Sequence, residues 1–302
     1  MDTNKPILVT GAAGSIGAVG NVVTTKLLER GHKVRAMVHR DDERAQNLRD
    51  KGAEVVVGDL LNLHDMHRII EGCGSLYFGM SVSDSYLAAT VNVAAVAKHH
   101  GIETFVNMSQ MTLSQMSITE TTDSPQHKLH WLAEQALNWS GLPIVHVRPT
   151  VFMDGFFLKF STQTIKGRDA LILPFGDGKT SPIAASDVGL AVAEILSNPT
   201  PHIGSIYHLT GPECEDMSYY AKQFTAVLGR PISYIDVPVA AWREAVKGAG
   251  LSSHVIDHLS TMGNLHRAGR YARMSDDFFK LTGTQPIDAR TFISRHAASF
   301  EK

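Results

Sequence analysis

Six times in its first half the chain alternates between a short apolar run and a stretch with helical spacing, and this alternation limits the possible folds more than any other feature. Ile7-Leu8-Val9 is a strand-like run closed by glycines, Val22-Val23 and Leu27-Leu28 recur at helical spacing, and Gly31 leads into a second strand, Val34 to Val38. The pattern returns with a helix opened by Asp41-Asp42-Glu43-Arg44, a strand from Ala53 to Val57, a helix from Leu63 to Ile70 and a strand Leu76-Tyr77-Phe78. It closes with a helix from Tyr86 to His99, a strand from Thr104 to Met108, a helix from Leu129 to Trp139 and a strand from Ile144 to Val147. Parallel strands joined by helices are buried on both faces, so the expected class is α/β, a doubly wound parallel sheet.

Beyond Arg148-Pro149 the rhythm loosens into an aromatic stretch, Phe152 to Phe160, a Gly/Pro-rich loop, 174–178, and a helix opening near Ser186-Asp187. The sheet is expected to end here or nearly so. From Pro212 the reading is mostly helical, at 216–228, 239–247, 253–268 and 288–299, broken by one strand from Ile232 to Val237. The expected organisation is a nucleotide-binding part at 1–154, with 183–212 packing on it. A smaller substrate lobe comprises 155–182 and 213–302, and the two parts share one cleft.

Composition removes several function classes. At 302 residues and 43% hydrophobic, the chain has ample material for a packed core. Lys and Arg total 28 against 30 Asp and Glu, a formal net charge of -2, so nothing draws a phosphate polymer or an anionic membrane, and nucleic acid is not an expected partner. Two cysteines, Cys73 and Cys214, make no disulfide framework and show no ligand spacing, so no metal is expected. No charged-then-apolar leader opens the sequence, and runs such as Val93 to Ala97 fall far short of the roughly 20 residues that span a bilayer. A cytoplasmic protein is expected, and a homodimer is compatible with this composition.

Between the first strand and the first helix stands Thr10-Gly11-Ala12-Ala13-Gly14-Ser15-Ile16-Gly17. Strand before and helix after are the context of a dinucleotide fingerprint, which makes the sheet Rossmann-type. Glycine suits this turn because a pyrophosphate must reach backbone N–H groups at a helix N-terminus. Gly20 continues the three-residue spacing. Counting back from Leu27-Leu28 makes Gly20, rather than Gly17, the glycine that packs helix on strand, with phosphate contacts around Ser15, Ile16 and the residues to Val19.

The remaining cofactor contacts are expected at the strand ends. Arg40 closes the second strand where an acid would hold the ribose 2′-hydroxyl of NAD, and Arg44 lies one helical turn on; arginine there favours a 2′-phosphate, hence NADP(H) over NAD(H). Asp41 and Asp42 stand against this as acceptors for a ribose hydroxyl. Asp59 and Leu60 follow the third strand, Asp59 either accepting from the adenine amine or capping a helix, with Leu60 covering the ring. Gly79 and Met80 follow the fourth strand, where the ribose passes the backbone.

With the glycine loop, Arg40, Gly58-Asp59-Leu60 and Ser140-Gly141-Leu142-Pro143 before Arg148-Pro149-Thr150, the chain resembles the NmrA-like branch of the atypical short-chain dehydrogenases/reductases. The likeness extends to Ser181-Pro182-Ile183 before Ser186-Asp187-Val188 and to Tyr207-His208-Leu209-Thr210-Gly211. It implies either an NAD(P)H-dependent reductase of quinones, dyes or related compounds, or a redox-sensing regulator that binds the dinucleotide without turnover. Short-chain enzymes move the substrate proton with a Tyr assisted by a Lys four residues on. Aligned on this chain those positions fall on Gln126 and His130, so the resemblance leaves ordinary alcohol chemistry in doubt.

Catalytic candidates are therefore His130, to hold the ribose or relay a proton, Gln126, and Ser109, which stands where the family has a substrate-orienting Ser and would either donate to a carbonyl or cap a turn. His127 and Lys128 start the same helix, whose Trp131, Leu132 and Leu137 are expected to face the sheet. Met108, Met111, Met116, Trp131, Phe152, Met153, Phe156 and Phe157 cluster after the strand ends. Of these, Met111, Phe152, Met153 and Phe156 are the candidate wall for a flat aromatic substrate such as a quinone.

Overall fold

The computed structural model describes residues 5–14 and 19–302. Its first half runs β1 (Ile7–Val9), α1 (Val19–Glu29), β2 (Val34–Val38), α2 (Glu43–Asp50), β3 (Glu54–Val57), α3 (Leu63–Ile70), β4 (Ser75–Phe78), α4 (Tyr86–His99), β5 (Thr104–Met108), α5 (Pro125–Trp139) and β6 (Ile144–Pro149). The second half runs α6 (Thr162–Arg168), β7 (Ala170–Leu173), α7 (Ala185–Ser197), β8 (Ile206–Leu209), α8 (Met217–Leu228), β9 (Ser233–Asp236), α9 (Val239–Lys247), α10 (Ser253–Arg267), α11 (Asp277–Thr282) and α12 (Ala289–Arg295). The main sheet has the order β3-β2-β1-β4-β5-β6-β8, and every pairing in it is parallel.

Strand alternation sorts the core into two layers. Ile7, Val9, Val106, Val145 and Val147 face one side, where α1, α2 and α7 pack through Val23, Leu48 and Val188. Leu8, Leu76, Phe78, Phe105 and Ile144 face the other, against Ile69, Val93, Ala97 and Leu137 of α3, α4 and α5. A third cluster, with Phe157, Leu171, Phe175, Phe224 and Phe292, holds the second half together.

Several expectations are corrected. The main sheet does not end at β6: β8 adds a seventh strand, pairing His146 with Ile206 and Pro149 with Leu209. As a four-residue edge strand with Ile206 exposed, it lacks the continuous apolar run of a central strand. Helix α5 starts at Pro125, not Leu129, because Ser124 caps it by accepting from the His127 N–H and Pro125 fits its first turn. Of the residues expected to turn inward, Leu137 is fully buried, whereas Trp131 and Leu132 stay half-exposed; Ala133 and Glu134 take the inner face. The last helix stops at Arg295 and continues as a short 3₁₀ turn, Ala297–Phe300. Phe152 to Phe160 contains a π-helix, Asp154–Phe160, and β7 pairs with β9 in a separate two-stranded sheet.

One contact positions the start of α1 on the sheet. A Cβ on Gly20 would lie 2.6 Å from Gly11 O, 2.8 Å from Gly11 C and 2.9 Å from Ala12 Cα, all backbone atoms that cannot swing aside. Gly20→Ala is therefore expected to destabilise the fold by about 1–3 kcal/mol in urea unfolding, whereas Gly167→Ala in α6, with open space at its Cβ, leaves it unchanged or slightly more stable. Equal stability of Gly20→Ala and the wild type would refute the contact.

Candidate functional site

The order β3-β2-β1-β4-β5 reverses between β1 and β4, the crevice where doubly wound sheets take ligands. Thr10 closes this point: its hydroxyl accepts from Gly79 N at 2.9 Å and donates to Gly79 O at 3.0 Å, while its own N–H donates to Tyr77 O. Gly11 then turns with φ +65°, and a Cβ there would sit 2.6 Å from Gly79 O. Gly14 N–H donates to Gly11 O at 3.1 Å, completing the turn. Gly11, Gly20 and Gly79 thus meet as bare backbone, as the counting from Leu27-Leu28 predicts for Gly20. Ser15, Ile16 and Gly17 lie outside the described residues.

The acids that compete with Arg40 are engaged elsewhere. Asp41 pairs with Arg49, and Asp42 caps α2 while pairing with Arg44. Arg44 also donates to Ala13 O at 2.9 Å, bracing the glycine turn. Arg40 stands exposed at the end of β2. Asp59 Oδ1 accepts from Leu61 N at 2.9 Å, and Asn62, not Asp59, caps α3. Leu60 packs half-buried against the α3–α4 side of the core.

From Gly11, Gly14, Gly20 and Gly79 a cleft of about 340 Å³ runs past Met80, Met108 and His130 to Met111, Phe152, Phe156 and Tyr271. The π-helix contributes Phe156, Lys159 and Phe160 to its wall, and α10 contributes Val255, His258, Leu259 and Met262. Gln110 Nε2, Thr150 Oγ1 and His130 Nδ1, on residues of this lining, are buried polar atoms with no partner among the described residues. Bare glycine backbone at one end and unpaired polar atoms along the wall fit a dinucleotide, whose phosphates and amide would supply the missing partners.

Four of the eight clustered Met and aromatic side chains do not reach the cleft. Met153 is 1% exposed and belongs to the third core cluster, its backbone N–H held by Ile183 O; in this irregular segment Phe152, not its neighbour, turns to the cleft. Phe157 is likewise core, and neither Met116 nor Trp131 reaches the lining.

The polar candidates are rearranged as well. Gln126 is fully buried outside the cleft lining, where its Oε1 accepts from Ser83 N and from His254 Nε2 at 2.7 Å, tying α10 to α5. Ser109 does line the cleft, but its hydroxyl donates to Glu134 Oε1, so it presents lone pairs rather than the proton expected for a carbonyl. Glu134 in turn takes both arms of Arg148. Burial works against a charged Glu134, but Arg148 and the Ser109 hydroxyl outweigh it and hold the carboxyl below its ordinary value.

His130 lies in the cleft wall with its ring 3.9 Å from that of Tyr86. Burial, and then the nearby His258, push it down to about 3, so at neutral pH it is an uncharged hydrogen-bonding group and not the proton relay that an ordinary imidazole would be. His127 is driven well down by burial too, and is bonded to Thr122; Lys128 is exposed.

The sequence reading missed His258, Leu259, Met262 and Tyr271. His258, lowered to about 4 by burial, bonds Ser124 Oγ through Nδ1 at 2.8 Å. A signal for this wall was present: Leu251, Val255, His258, Leu259 and Met262 recur at helical spacing, marking one face of a helix.

Comparison with known proteins agrees with this architecture. The chain is 26% identical over 296 residues to an NAD(P)H azoreductase of Xenophilus azovorans, covering 97% of this chain and 99% of that protein. Its fold matches the NADPH-dependent quinone oxidoreductase of Escherichia coli in complex with NADPH, with a TM-score of 0.83 at 22% identity, covering 96% of this chain and 99% of the other. It also matches NmrA, a negative transcriptional regulator in complex with NAD, with a TM-score of 0.79 at 19% identity, covering 97% and 95%. Among the described residues no helix is long and apolar enough to cross a membrane. The NmrA-like family model spans residues 3–282, and the chain belongs to that family.

Proposed function

We propose that this chain is an NADPH-dependent reductase acting on a flat, conjugated acceptor: a quinone, an azo compound or a conjugated carbonyl. The observation that carries the reading is the continuity of one cleft, bare glycine backbone at one end and a wall of Met, Phe and Tyr side chains at the other. Similarity to an azoreductase along nearly the whole chain supports it.

On this reading the backbone around Gly11, Gly14 and Gly20 receives the pyrophosphate, and Arg40 the 2′-phosphate, since Asp41 and Asp42 are already paired. Asp59 and Leu60 flank the adenine, Gly79 and Met80 let the ribose pass, and His130 hydrogen-bonds the nicotinamide ribose. Bound NADPH would supply the hydride. The lobe formed by 155–182 and 213–302 closes over the acceptor, with Met111, Phe152, Phe156 and Tyr271 stacking on its rings and excluding water. No Tyr–Lys pair stands at the expected positions and His130 is uncharged, so the proton is taken from solvent, which a quinone or azo acceptor tolerates and a simple ketone does not.

A second reading, a dinucleotide sensor without turnover, is favoured by Gln126 and His130 at the Tyr and Lys positions and by the likeness to a regulator fold. The apolar cleft weighs against it, since a sensor has no use for an acceptor wall. Following NADPH oxidation over a panel of quinones, azo dyes, enones and simple ketones separates the two. Turnover of the conjugated acceptors with negligible ketone reduction is expected; tight NADPH binding with no turnover of any acceptor would establish the sensor.

Arg40→Ala is expected to weaken NADPH binding by about tenfold or more, the scale of a charge-assisted hydrogen bond, while leaving NADH nearly unchanged. Equal dissociation constants for NADPH and NADH in the unaltered protein would exclude the assignment. His130→Ala should weaken NADPH binding by about 1–2 kcal/mol, one hydrogen bond in a buried site. Because its pKa, about 3, lies below the assay range, the rate profile between about pH 5 and 8 should keep its shape in this variant. A limb near neutrality that vanishes with the mutation would restore His130 as the proton donor.

A further inference from the structure

We propose that His67, His99 and His100 form a surface site for a divalent transition-metal ion that clamps the ends of α3 and α4 together. One ligand atom from each of the three lies within 4.8 Å of the other two, the sole such group of His, Cys, Asp and Glu side chains among the described residues. His67 Nδ1 and His100 Nε2 are hydrogen-bonded to each other at 3.0 Å, with their rings stacked at 28°, and an ion bound between them would displace the shared proton. A zinc ion with bonds of about 2.0–2.1 Å to imidazole nitrogens holds tetrahedral ligand atoms about 3.3 Å apart, so this pair is at bonding separation and the exposed His99 completes the set by a rotation of its side chain.

The surroundings favour a cation. His67 sits in the last turn of α3 and His99 ends α4, so the negative ends of two helix dipoles converge on the cluster. Burial, and then His67 and His99, push His100 below its ordinary value; imidazoles this close resist protonation together and keep lone pairs available. The Glu71 carboxylate also acts electrostatically on His100 and favours positive charge there. The neighbouring cations are engaged elsewhere: Lys98 Nζ donates to Gly141 O, Arg68 is paired with Asp65, and Arg35 bonds the Ile69 and Glu71 carbonyls. Three imidazoles suit zinc, nickel or copper, with the remaining position left to water.

Both helices run antiparallel to the strands they follow, so the cluster lies at the opposite end of the sheet from Gly79 and the cleft. The ion therefore acts as a staple between α3 and α4 and takes no part in hydride transfer. Sequence reading expected no metal because it sought local ligand spacing, and His67 is brought to His99 and His100 only by the packing of α3 against α4.

Zinc binding to the full-length, untagged protein, measured by competition with a chromophoric chelator, tests this. One ion per chain is expected, lost in His67→Ala and in His99→Ala but retained in His64→Ala, which removes an exposed histidine of α3 outside the cluster. Zinc should also raise the thermal unfolding midpoint of the wild type and not that of His67→Ala. No stoichiometric zinc uptake by the wild type, or equal affinity in His67→Ala and His64→Ala, would overturn the proposal.

Discussion

Everything at the site depends on the meeting of three backbones, at Gly11, Gly20 and Gly79, where β1 ends, α1 begins its packing and β4 ends. Side chains would hold these segments apart by the width of at least a methyl group. Without them, Thr10 spans β1 and β4 with both hydrogen bonds of one hydroxyl, and the turn after β1 opens directly onto the crevice between the strands. The same closeness that packs the helix on the sheet leaves peptide groups, not side chains, facing a ligand.

A second element of rigidity lies across the cleft. Glu134 on α5, Arg148 on β6 and Ser109 after β5 form a buried, mutually hydrogen-bonded group. A buried pair of this kind gives little net stability but fixes geometry, because breaking it leaves an uncompensated charge. Its effect is to hold Ser109 and the helix bearing His130 in one orientation beside the strand ends. His130 and His258, both uncharged, sit between this group and α10, so this stretch of the cleft wall carries hydrogen-bonding capacity without charge, and among the described residues Lys159 of the π-helix is the charged side chain of the lining. The histidine-lined stretch accepts a flat, weakly polar ring without burying an unpaired charge.

The nucleotide-binding half was legible because buried parallel strands and their helices have distinct periods, and because Gly20 announces itself by its distance from Leu27-Leu28. The rest was harder for identifiable reasons. Strand β8 is four residues long with Ile206 exposed and carries no core pattern, while β7, largely buried and apolar, is too short at four residues to stand out from its surroundings. In the irregular segment after β6 no period tells Phe152 from Met153, and only packing turns one to the cleft and the other inward. The direction of the Ser109 proton depends on Glu134, 25 residues away, and the weak basicity of His130 on burial that no local sequence expresses. The α10 stripe was readable as a helix face; what it faced was not, because the second half of the chain has no repeat to place it.

The central claim is that a single cleft carries the dinucleotide from Arg40 through the glycine contact to the Met and Phe wall. A crystal structure of the protein with NADPH tests it most directly. The account predicts the 2′-phosphate at Arg40, the pyrophosphate against Gly11 and Gly20, and the nicotinamide beside His130 with open space over its ring toward Met111 and Phe156. A nicotinamide turned away from that wall, or a dinucleotide that fills the cleft and leaves no room for an acceptor, would contradict it.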